Sequence, residues 1–191
     1  MAASGENRFK AAVKAGIDRD YKKAILLLEQ LISETDAPPE AYLLLGRSFH
    51  STGDYSHALV AYGDFIRLKP GSALGYFFAG RTYLALALPQ KAVPLLQKAL
   101  SIRKNDPLIM AMLGAAYLKS RHSGKAVEIL ENAVTAAPEN ARIYKAYLNA
   151  LFIRGIKLCR AGDLDLGSQI LSFLLVNGVD NPLLRLELGM A

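Results

Sequence analysis

The stretch Tyr42-Leu43-Leu44-Leu45-Gly46-Arg47-Ser48-Phe49 decides the fold, because its pattern returns along the chain every 34 residues, as from Tyr42 to Tyr76. Within one period the pattern continues with Ala58, Tyr62 and Pro70. Two further copies contain, in order, Tyr76, Ala79-Gly80, Tyr83, Ala92 and Leu96, then Met110, Leu113-Gly114, Tyr117, Ala126, Leu130 and Pro138. A fixed period of this length predicts a repeated supersecondary unit whose copies stack to bury a shared core.

The repeated positions have a physical role if each unit is a pair of closely packed helices. A glycine on the first helix carries no Cβ, so it allows the second helix to approach closely. The alanines at the matching second-helix positions are Ala58, Ala92 and Ala126. The large apolar side chains then fill the space between helices at the density of a protein interior. Pro70 and Pro138 separate the units, because proline cannot continue a helix.

These residues resemble the tetratricopeptide repeat (TPR), a helix–turn–helix unit with a 34-residue period. The resemblance implies an all-α fold, a right-handed α-solenoid of stacked helix-turn-helix hairpins in one continuous domain. It also implies that first helices line the concave surface of the superhelix and that second helices form its convex surface. The predicted function is therefore a binding surface for another protein or peptide.

The period divides the chain into successive units. Residues 1–4 are predicted to be disordered, and residues 5–38 to form a degenerate first repeat in which Ala11-Ala12 replaces the usual Leu-Gly. A terminal repeat departs from the pattern because one of its sides faces water. The repeats that follow the pattern are residues 39–72, 73–106 and 107–140.

The pattern shifts by seven residues after Ala141. Leu148 stands where glycine is expected. When the pattern is counted from Leu148, it is regained at Gly155, Leu158, Gly162-Asp163-Leu164 and Leu171. Seven residues are about two helical turns. Residues 141–181 are therefore predicted to form a TPR-like hairpin whose first helix is lengthened by about seven residues.

Residues 182–191 are predicted to be the first helix of a further, truncated repeat or a C-terminal helix, because Leu188-Gly189 occupies the Leu-Gly position. A capping helix needs a polar outer face. This stretch instead carries Leu183, Leu184, Leu186, Leu188 and Met190. The composition indicates a piece of a longer repeat protein. The alternative is a short final helix that is buried in a dimer.

Composition restricts the class of protein. Apolar residues make up 52% of the 191 residues, which is enough for a core. The sequence contains no run of about 18 apolar residues, so no transmembrane segment is predicted. The first residues lack the apolar stretch of a secretory signal, so a cytoplasmic location is favoured, and a periplasmic one stays open if a leader has been removed. The single cysteine, Cys159, excludes an internal disulfide.

The net charge of +6 does not by itself indicate a nucleic-acid partner. A nucleic-acid-binding protein gathers its basic residues on one face, often beside aromatic side chains that stack on bases. By helical phase, four basic residues lie on or after a second helix, away from the concave surface: Lys91, Lys98, Arg103 and Lys104. We interpret them as a solvated face and expect no nucleic-acid partner.

The resemblance also implies where a partner would bind, since family ligands contact recurring positions of the first helices. Carried onto this sequence, those positions predict a peptide-binding groove that contains Leu43, Leu44, Arg47, Leu74, Phe77, Phe78, Arg81, Leu108, Met112 and Lys119. Soluble proteins seldom leave a large apolar surface uncovered. The predicted partner is an apolar peptide or an amphipathic helix. Alternatively, these side chains pack between adjacent helices or against the C-terminal end of the chain.

Arg47 and Arg81 occupy the same groove position in successive repeats. A guanidinium group binds a carboxylate through two parallel hydrogen bonds, so acidic flanks on the partner would match this pair. The alternative is that Glu40 or tyrosine side chains of the fold itself occupy both arginines.

No catalytic or metal site is predicted. His50, His57 and His122 lie in different repeats, and no two have the i, i+4 spacing that favours metal binding on a helix. Cys159 is interpreted as a buried, unreactive thiol. We therefore expect a non-enzymatic interaction scaffold without a cofactor. The alternatives are an arm that presents substrates within a larger enzyme or assembly complex, and a module for self-association through the groove or the C-terminal helix.

Overall fold

The computed structural model describes residues 2–34, 37–179 and 182–189, with side chains from Gly5 onward. Within these ranges every regular element is an α-helix. The helices are α1 (Ala2–Ile17), α2 (Tyr21–Glu34), α3 (Pro39–Thr52), α4 (Tyr55–Leu68), α5 (Ala73–Ala85), α6 (Pro89–Ile102), α7 (Pro107–Lys119), α8 (Ser123–Ala136), α9 (Ala141–Arg160), α10 (Leu164–Val176) and α11 (Pro182–Glu187). The predicted all-α fold class is confirmed.

The helices fall into two compact units, Met1–Ile102 with α1 to α6 and Arg103–Ala191 with α7 to α11. In the first unit the hairpins α1/α2, α3/α4 and α5/α6 stack in chain order, joined by contacts of α2 with α3 and of α4 with α5. In the second unit the hairpins α7/α8 and α9/α10 are joined by contacts of α8 with α9. Each unit is therefore a stack of helical hairpins. The continuity of the stack along the whole chain stays a prediction.

A glycine on the first helix makes room for a large side chain of the second helix in four hairpins. The pairs are Gly46 with Tyr62, Gly80 with Leu96, Gly114 with Leu130 and Gly155 with Leu171. A Cβ added to Gly114 would lie only 2.5 Å from Cγ of Leu130, well inside the normal carbon–carbon contact distance of about 3.5–4.0 Å. The last pair keeps the spacing of the others, so the register counted from Leu148 is the one that packs.

The turn inside each hairpin contains one residue with a left-handed backbone. Arg19 (φ 60°), Gly53 (φ 85°), Ala87 (φ 56°) and Arg121 (φ 63°) follow one another at intervals of 34 positions. Gly162 (φ 89°) follows Arg121 after 41 positions (162 − 121). The additional seven positions correspond to the length of α9, which has 20 residues, whereas α7 has 13. The shift in the sequence pattern is thus contained in one long first helix.

Both ends of the described chain are helical. Helix α1 begins at Ala2, so residues 2–4 are helical where disorder was predicted; alanine, which fills positions 2 and 3, has the highest helix propensity. Helix α11 ends at Glu187, and Leu184 is fully buried against a cluster on α9 and α10. Leu186 is 71% exposed. Met1, Met190 and Ala191 lie outside the described residues.

Candidate functional site

The ten predicted groove residues lie on three first helices. They are Leu43, Leu44 and Arg47 on α3; Leu74, Phe77, Phe78 and Arg81 on α5; and Leu108, Met112 and Lys119 on α7. Helices α3 and α5 contact each other in the first unit. Helix α7 belongs to the second unit, so its three residues are described separately.

Phe78 lies at the centre of the site in the first unit. The guanidinium carbons of Arg47 and Arg81 lie 5.5 Å and 5.0 Å from the centroid of its ring. Phe77 meets the same ring edge-on, with centroids 5.4 Å apart. Tyr62 of α4 stacks on it with centroids 5.8 Å apart and an interplanar angle of 17°. The structure therefore brings together two arginines and two phenylalanines that the sequence assigned to the groove.

Some of the predicted groove residues also pack into the core. Phe78 and Leu43 are half-buried and lie against the buried side chains of Ala58, Tyr62 and Ala79. Leu44 is half-buried against the core of the first hairpins. These three side chains are partly accessible on the predicted groove helices, and they also pack between adjacent helices, as in the alternative interpretation.

Leu74 and Phe77 offer the apolar surface of this site most directly. Leu74 is 40% exposed, and Phe77 is half-buried. Arg47 is exposed on the neighbouring helix, and Arg81 is half-buried. Phe77 and Arg81 are four residues apart on α5, so they share one face of the helix. The site combines an apolar surface with a basic one.

The two arginines lack acidic partners within the described ranges, where no carboxylate forms an ion pair with Arg47 or Arg81. Glu40, the alternative partner within the fold, pairs with Lys69 instead. In the same part of the chain, the Nε atom of Arg81 is buried and has no hydrogen-bond partner. Both guanidinium groups therefore retain hydrogen-bonding capacity.

A polar bridge joins α3 to α5 beside the arginines. Thr82 is fully buried, and its hydroxyl donates to the backbone carbonyl of Phe78 at 2.9 Å. Nδ1 of His50 lies 2.9 Å from the same hydroxyl oxygen. Since the hydroxyl hydrogen is used on Phe78, we assign Nδ1 of His50 as the donor to Thr82. Burial and, secondly, the charge of Arg81 lower the pKa of His50.

Tyr62 is the residue that sequence reasoning missed as part of the site. It is fully buried, and its hydroxyl finds no hydrogen-bond partner among the described residues. Thr82 lies close to this hydroxyl, but not in hydrogen-bond geometry. Burial raises the pKa of Tyr62 far above its usual value, and the charges of Arg81 and Arg47 oppose this only in part. In the sequence, Tyr62 occupied a repeat position and indicated packing alone.

The second unit contains the remaining three predicted residues. Leu108 is 60% exposed at the start of α7, where the carboxylate of Asp106 accepts hydrogen bonds from two backbone N–H groups. Met112 is half-buried, and Lys119 is exposed in the last turn. A helix rises 1.5 Å per residue, so Leu108 and Lys119 are separated by roughly 16 Å along the axis. The structure does not bring these two side chains together.

His57 and Cys159 take part in helix capping and helix packing. His57 pairs with Asp54, which caps the start of α4. Cys159 is buried beside Gly167, where an added Cβ would lie 2.5 Å from Sγ of Cys159. In the part of the chain that the structure describes, no group of three or more His, Cys, Asp or Glu side chains is placed to hold a metal ion. Among the described helices, none has the length and apolar content to cross a membrane.

Two family models, each described as tetratricopeptide repeat, match residues 7–73 and 83–151. The chain belongs to the tetratricopeptide repeat family. The resemblance stated from the sequence is thereby confirmed.

Similar proteins include further members with this type of fold. A stretch of 94 residues of this TPR chain is 30% identical to the anaphase-promoting complex subunit CDC16 of Saccharomyces cerevisiae. That stretch covers 49% of this chain but 11% of the relative, so the TPR chain spans a small part of that protein.

Two solved structures have similar folds at low sequence identity. The crystal structure of MamA protein is 20% identical, with a TM-score of 0.74 over 89% of this chain and 93% of that one. The crystal structure of YrrB, titled a TPR protein with an unusual peptide-binding site, is 14% identical, with a TM-score of 0.73 over 94% of this chain and 88% of that one. At these identities the likeness shows the TPR fold alone.

Proposed function

We propose that this TPR chain is a protein–protein interaction scaffold that binds an apolar or amphipathic segment of a partner on the face formed by α3 and α5. One observation carries the proposal: partly uncovered apolar side chains lie on the same face as two guanidinium groups that pair with no carboxylate of the described residues. Leu74 and Phe77 supply the apolar part, and Arg47 and Arg81 the basic part. Family membership supports the general scaffold role.

The apolar surface supplies the affinity in this proposal. Fully burying a Leu or Phe side chain is worth roughly 1.5–3 kcal/mol, and Leu74 and Phe77 are covered only in part. An amphipathic helix or extended peptide would cover them with its own apolar side chains. Acidic residues that flank those apolar anchors would complement Arg47 and Arg81, because charge complementarity across an interface favours the matching partner.

Two similar proteins support this proposal. CDC16 is named as a subunit of the anaphase-promoting complex, and the YrrB structure is described as having a peptide-binding site. Both statements concern those proteins. They support a search for a partner segment rather than for a substrate.

The test begins with a displayed library of 15-residue amphipathic peptides selected against the wild-type chain. Binding of the selected peptides is then measured by calorimetry for wild type, Phe77→Ala and Phe173→Ala. Phe173 is a matched control, because it is 47% exposed but lies on the second helix α10. We expect Phe77→Ala to weaken binding at least about tenfold, which corresponds to roughly 1.4 kcal/mol, and Phe173→Ala to weaken it less than about twofold.

Two further results decide the outcome. Circular dichroism and the denaturation midpoint must show that both variants stay folded. Peptides that bind Phe77→Ala as tightly as wild type, or that lose as much affinity with Phe173→Ala, would place the binding surface elsewhere.

A further inference from the structure

The region beside Arg47 and Arg81 contains hydrogen-bond donors without acceptors. The hydroxyl of Tyr62 and Nε of Arg81 are both buried, and neither has a partner in the described ranges. A buried polar group without a partner is destabilising, because it has lost its hydrogen bonds to water and gained none in the protein. Native structures contain few such groups, and each one calls for an explanation. Here both belong to side chains that contact the Phe78 ring.

Two candidate acceptors among the described residues already have partners. The Thr82 hydroxyl donates to the Phe78 carbonyl and faces Nδ1 of His50. The Glu40 carboxylate binds Lys69. Since no described carboxylate pairs with Arg47 or Arg81, the site holds two positive charges and a surplus of donors. Its chemistry matches an anion that accepts several hydrogen bonds.

We infer that Arg47, Arg81 and Tyr62 form a site for one Asp or Glu side chain of the segment bound on α3 and α5. This inference rests on the proposed function and names the group that the basic part of the surface recognises. A carboxylate has two oxygens and about four lone-pair positions, so it accepts from two guanidinium groups and a phenolic hydroxyl together. Charge-assisted hydrogen bonds of this kind are about twice as strong as neutral ones.

The layout of α5 favours a side-chain carboxylate beside an apolar anchor. Leu74, Phe77 and Arg81 follow one another at helical spacings of three and four residues, so they share a face. A segment that covers Leu74 and Phe77 would therefore present its acidic group about one turn further along α5. This is the arrangement of an amphipathic segment with an acidic residue at the edge of its apolar face.

Tyr62 acts as a specificity residue in this site. Burial raises its pKa, so the hydroxyl stays protonated and can only add a donor for the anion. Solvent does not reach this oxygen. A carboxylate reaches it only after the side chains that cover it have moved. The cation–π contacts of Arg47 and Arg81 with the Phe78 ring oppose a movement of the arginines only weakly, because at exposed sites such contacts are weaker than a charge-assisted hydrogen bond.

The first experiment uses acetate alone as the probe. Acetate is titrated into the full chain while the Nε–H resonance of Arg81 is followed by NMR, with chloride at equal ionic strength as the control. We expect a saturable shift with acetate but not with chloride, and at least about fivefold weaker binding in Tyr62→Phe and in Arg47→Gln. If acetate produces no saturable shift in wild type, or if Tyr62→Phe binds it equally, the site assignment is wrong.

The second experiment uses a selected peptide with one glutamate, its Glu→Gln form, and a form with an amidated C-terminus. Wild type should bind the glutamate form at least about tenfold more tightly than the glutamine form, and Tyr62→Phe should reduce that ratio several-fold. Stability separates this role from a packing role, because removing a partnerless buried hydroxyl should leave the denaturation midpoint equal or higher. An unchanged ratio in Tyr62→Phe overturns the inference, and sensitivity to amidation alone overturns the side-chain assignment.

The two failures are distinguishable. If Phe77→Ala weakens both peptides while the Glu-to-Gln ratio is one, the groove stands and the carboxylate site falls. If Phe77→Ala has no effect on either peptide, the groove itself is refuted, and the acetate titration still decides the anion site.

Discussion

The contact between Gly114 on α7 and Leu130 on α8 allows a quantitative test of how the hairpins pack. A Cβ at Gly114 would lie 2.5 Å from Cγ and 2.9 Å from both δ carbons of Leu130. Normal carbon contacts are about 3.5–4.0 Å, so Leu130 would have to move by roughly 1 Å. Leu130 is fully buried, and overpacking of this kind costs about 1–3 kcal/mol.

We expect Gly114→Ala to destabilise the chain by about 1–2 kcal/mol. The overpacking cost is reduced by about 0.5–1 kcal/mol, because alanine is favoured over glycine inside a helix. Gly63→Ala is the matched control, since Gly63 lies within α4 and an added Cβ there meets no atom within 4 Å. That control should stabilise by about 0.5–1 kcal/mol. Urea unfolding followed by far-ultraviolet circular dichroism measures both free energies.

A double-mutant cycle isolates the contact. Leu130→Ala alone should cost about 2–5 kcal/mol. In that background the δ carbons are gone, so Gly114→Ala should become stabilising, as at Gly63. If Gly114→Ala has the same effect with and without Leu130, the close approach of α7 and α8 is not what requires glycine, and the packing argument fails.

Two further predictions concern the first unit. Ala87→Gly should raise the free energy of unfolding by about 0.5–1 kcal/mol, measured by urea unfolding. A left-handed alanine (φ 56°) costs about 1–2 kcal/mol, and the greater freedom of glycine in the unfolded chain offsets about 0.4–1 kcal/mol of the gain. A lower urea midpoint would contradict the backbone argument. The pKa of His50 is lowered in the folded chain, so between that pKa and its unfolded value of about 6.5 the unfolded chain binds more protons. Stability should therefore fall as the pH is lowered through about 6.5, and His50→Asn should flatten the dependence of the urea midpoint between pH 7.5 and 5.5; an identical slope in the variant would show that His50 is not its source.

The fold could be predicted from the repeated positions because the residues at those positions make the contacts between helices. Gly46, Gly80 and Gly114 each face a large second-helix side chain, and such pairs recur in the sequence at the period of the repeat. The same requirement for space explains Phe65, which stands where alanine is usual in the family and is buried. A Cβ added to Gly75 would lie 2.8 Å from the ring of Phe65. A glycine in the next helix makes the space that the ring needs.

The candidate site was only partly predictable. The family resemblance assigned Phe77 and Phe78 to the same groove, but a repeat position does not report how deeply a side chain is buried, and Phe78 packs on Tyr62. Whether Arg81 has an acidic partner depends on where Glu40 reaches, which the sequence leaves open because Lys69 competes for it. The role of Tyr62 depends on its hydroxyl having no hydrogen-bond partner among the described residues, and the absence of a contact produces no periodic pattern in the sequence. Nor does a regular period reveal that the helices divide after Ile102.

The long helix α9 shows which insertions a hairpin array of this kind accommodates. Each helical residue turns the chain by about 100°, so seven extra residues rotate the following face by about 700°, within 20° of two full revolutions. The start of α9 can consequently contact α8 while its later part packs on α10, as in a hairpin of normal length. An insertion of five residues would leave the later part of the helix rotated by about 140°, so α10 would be turned away from its usual side of the stack. A longer first helix should therefore keep this packing only when the added residues make close to a whole number of helical turns.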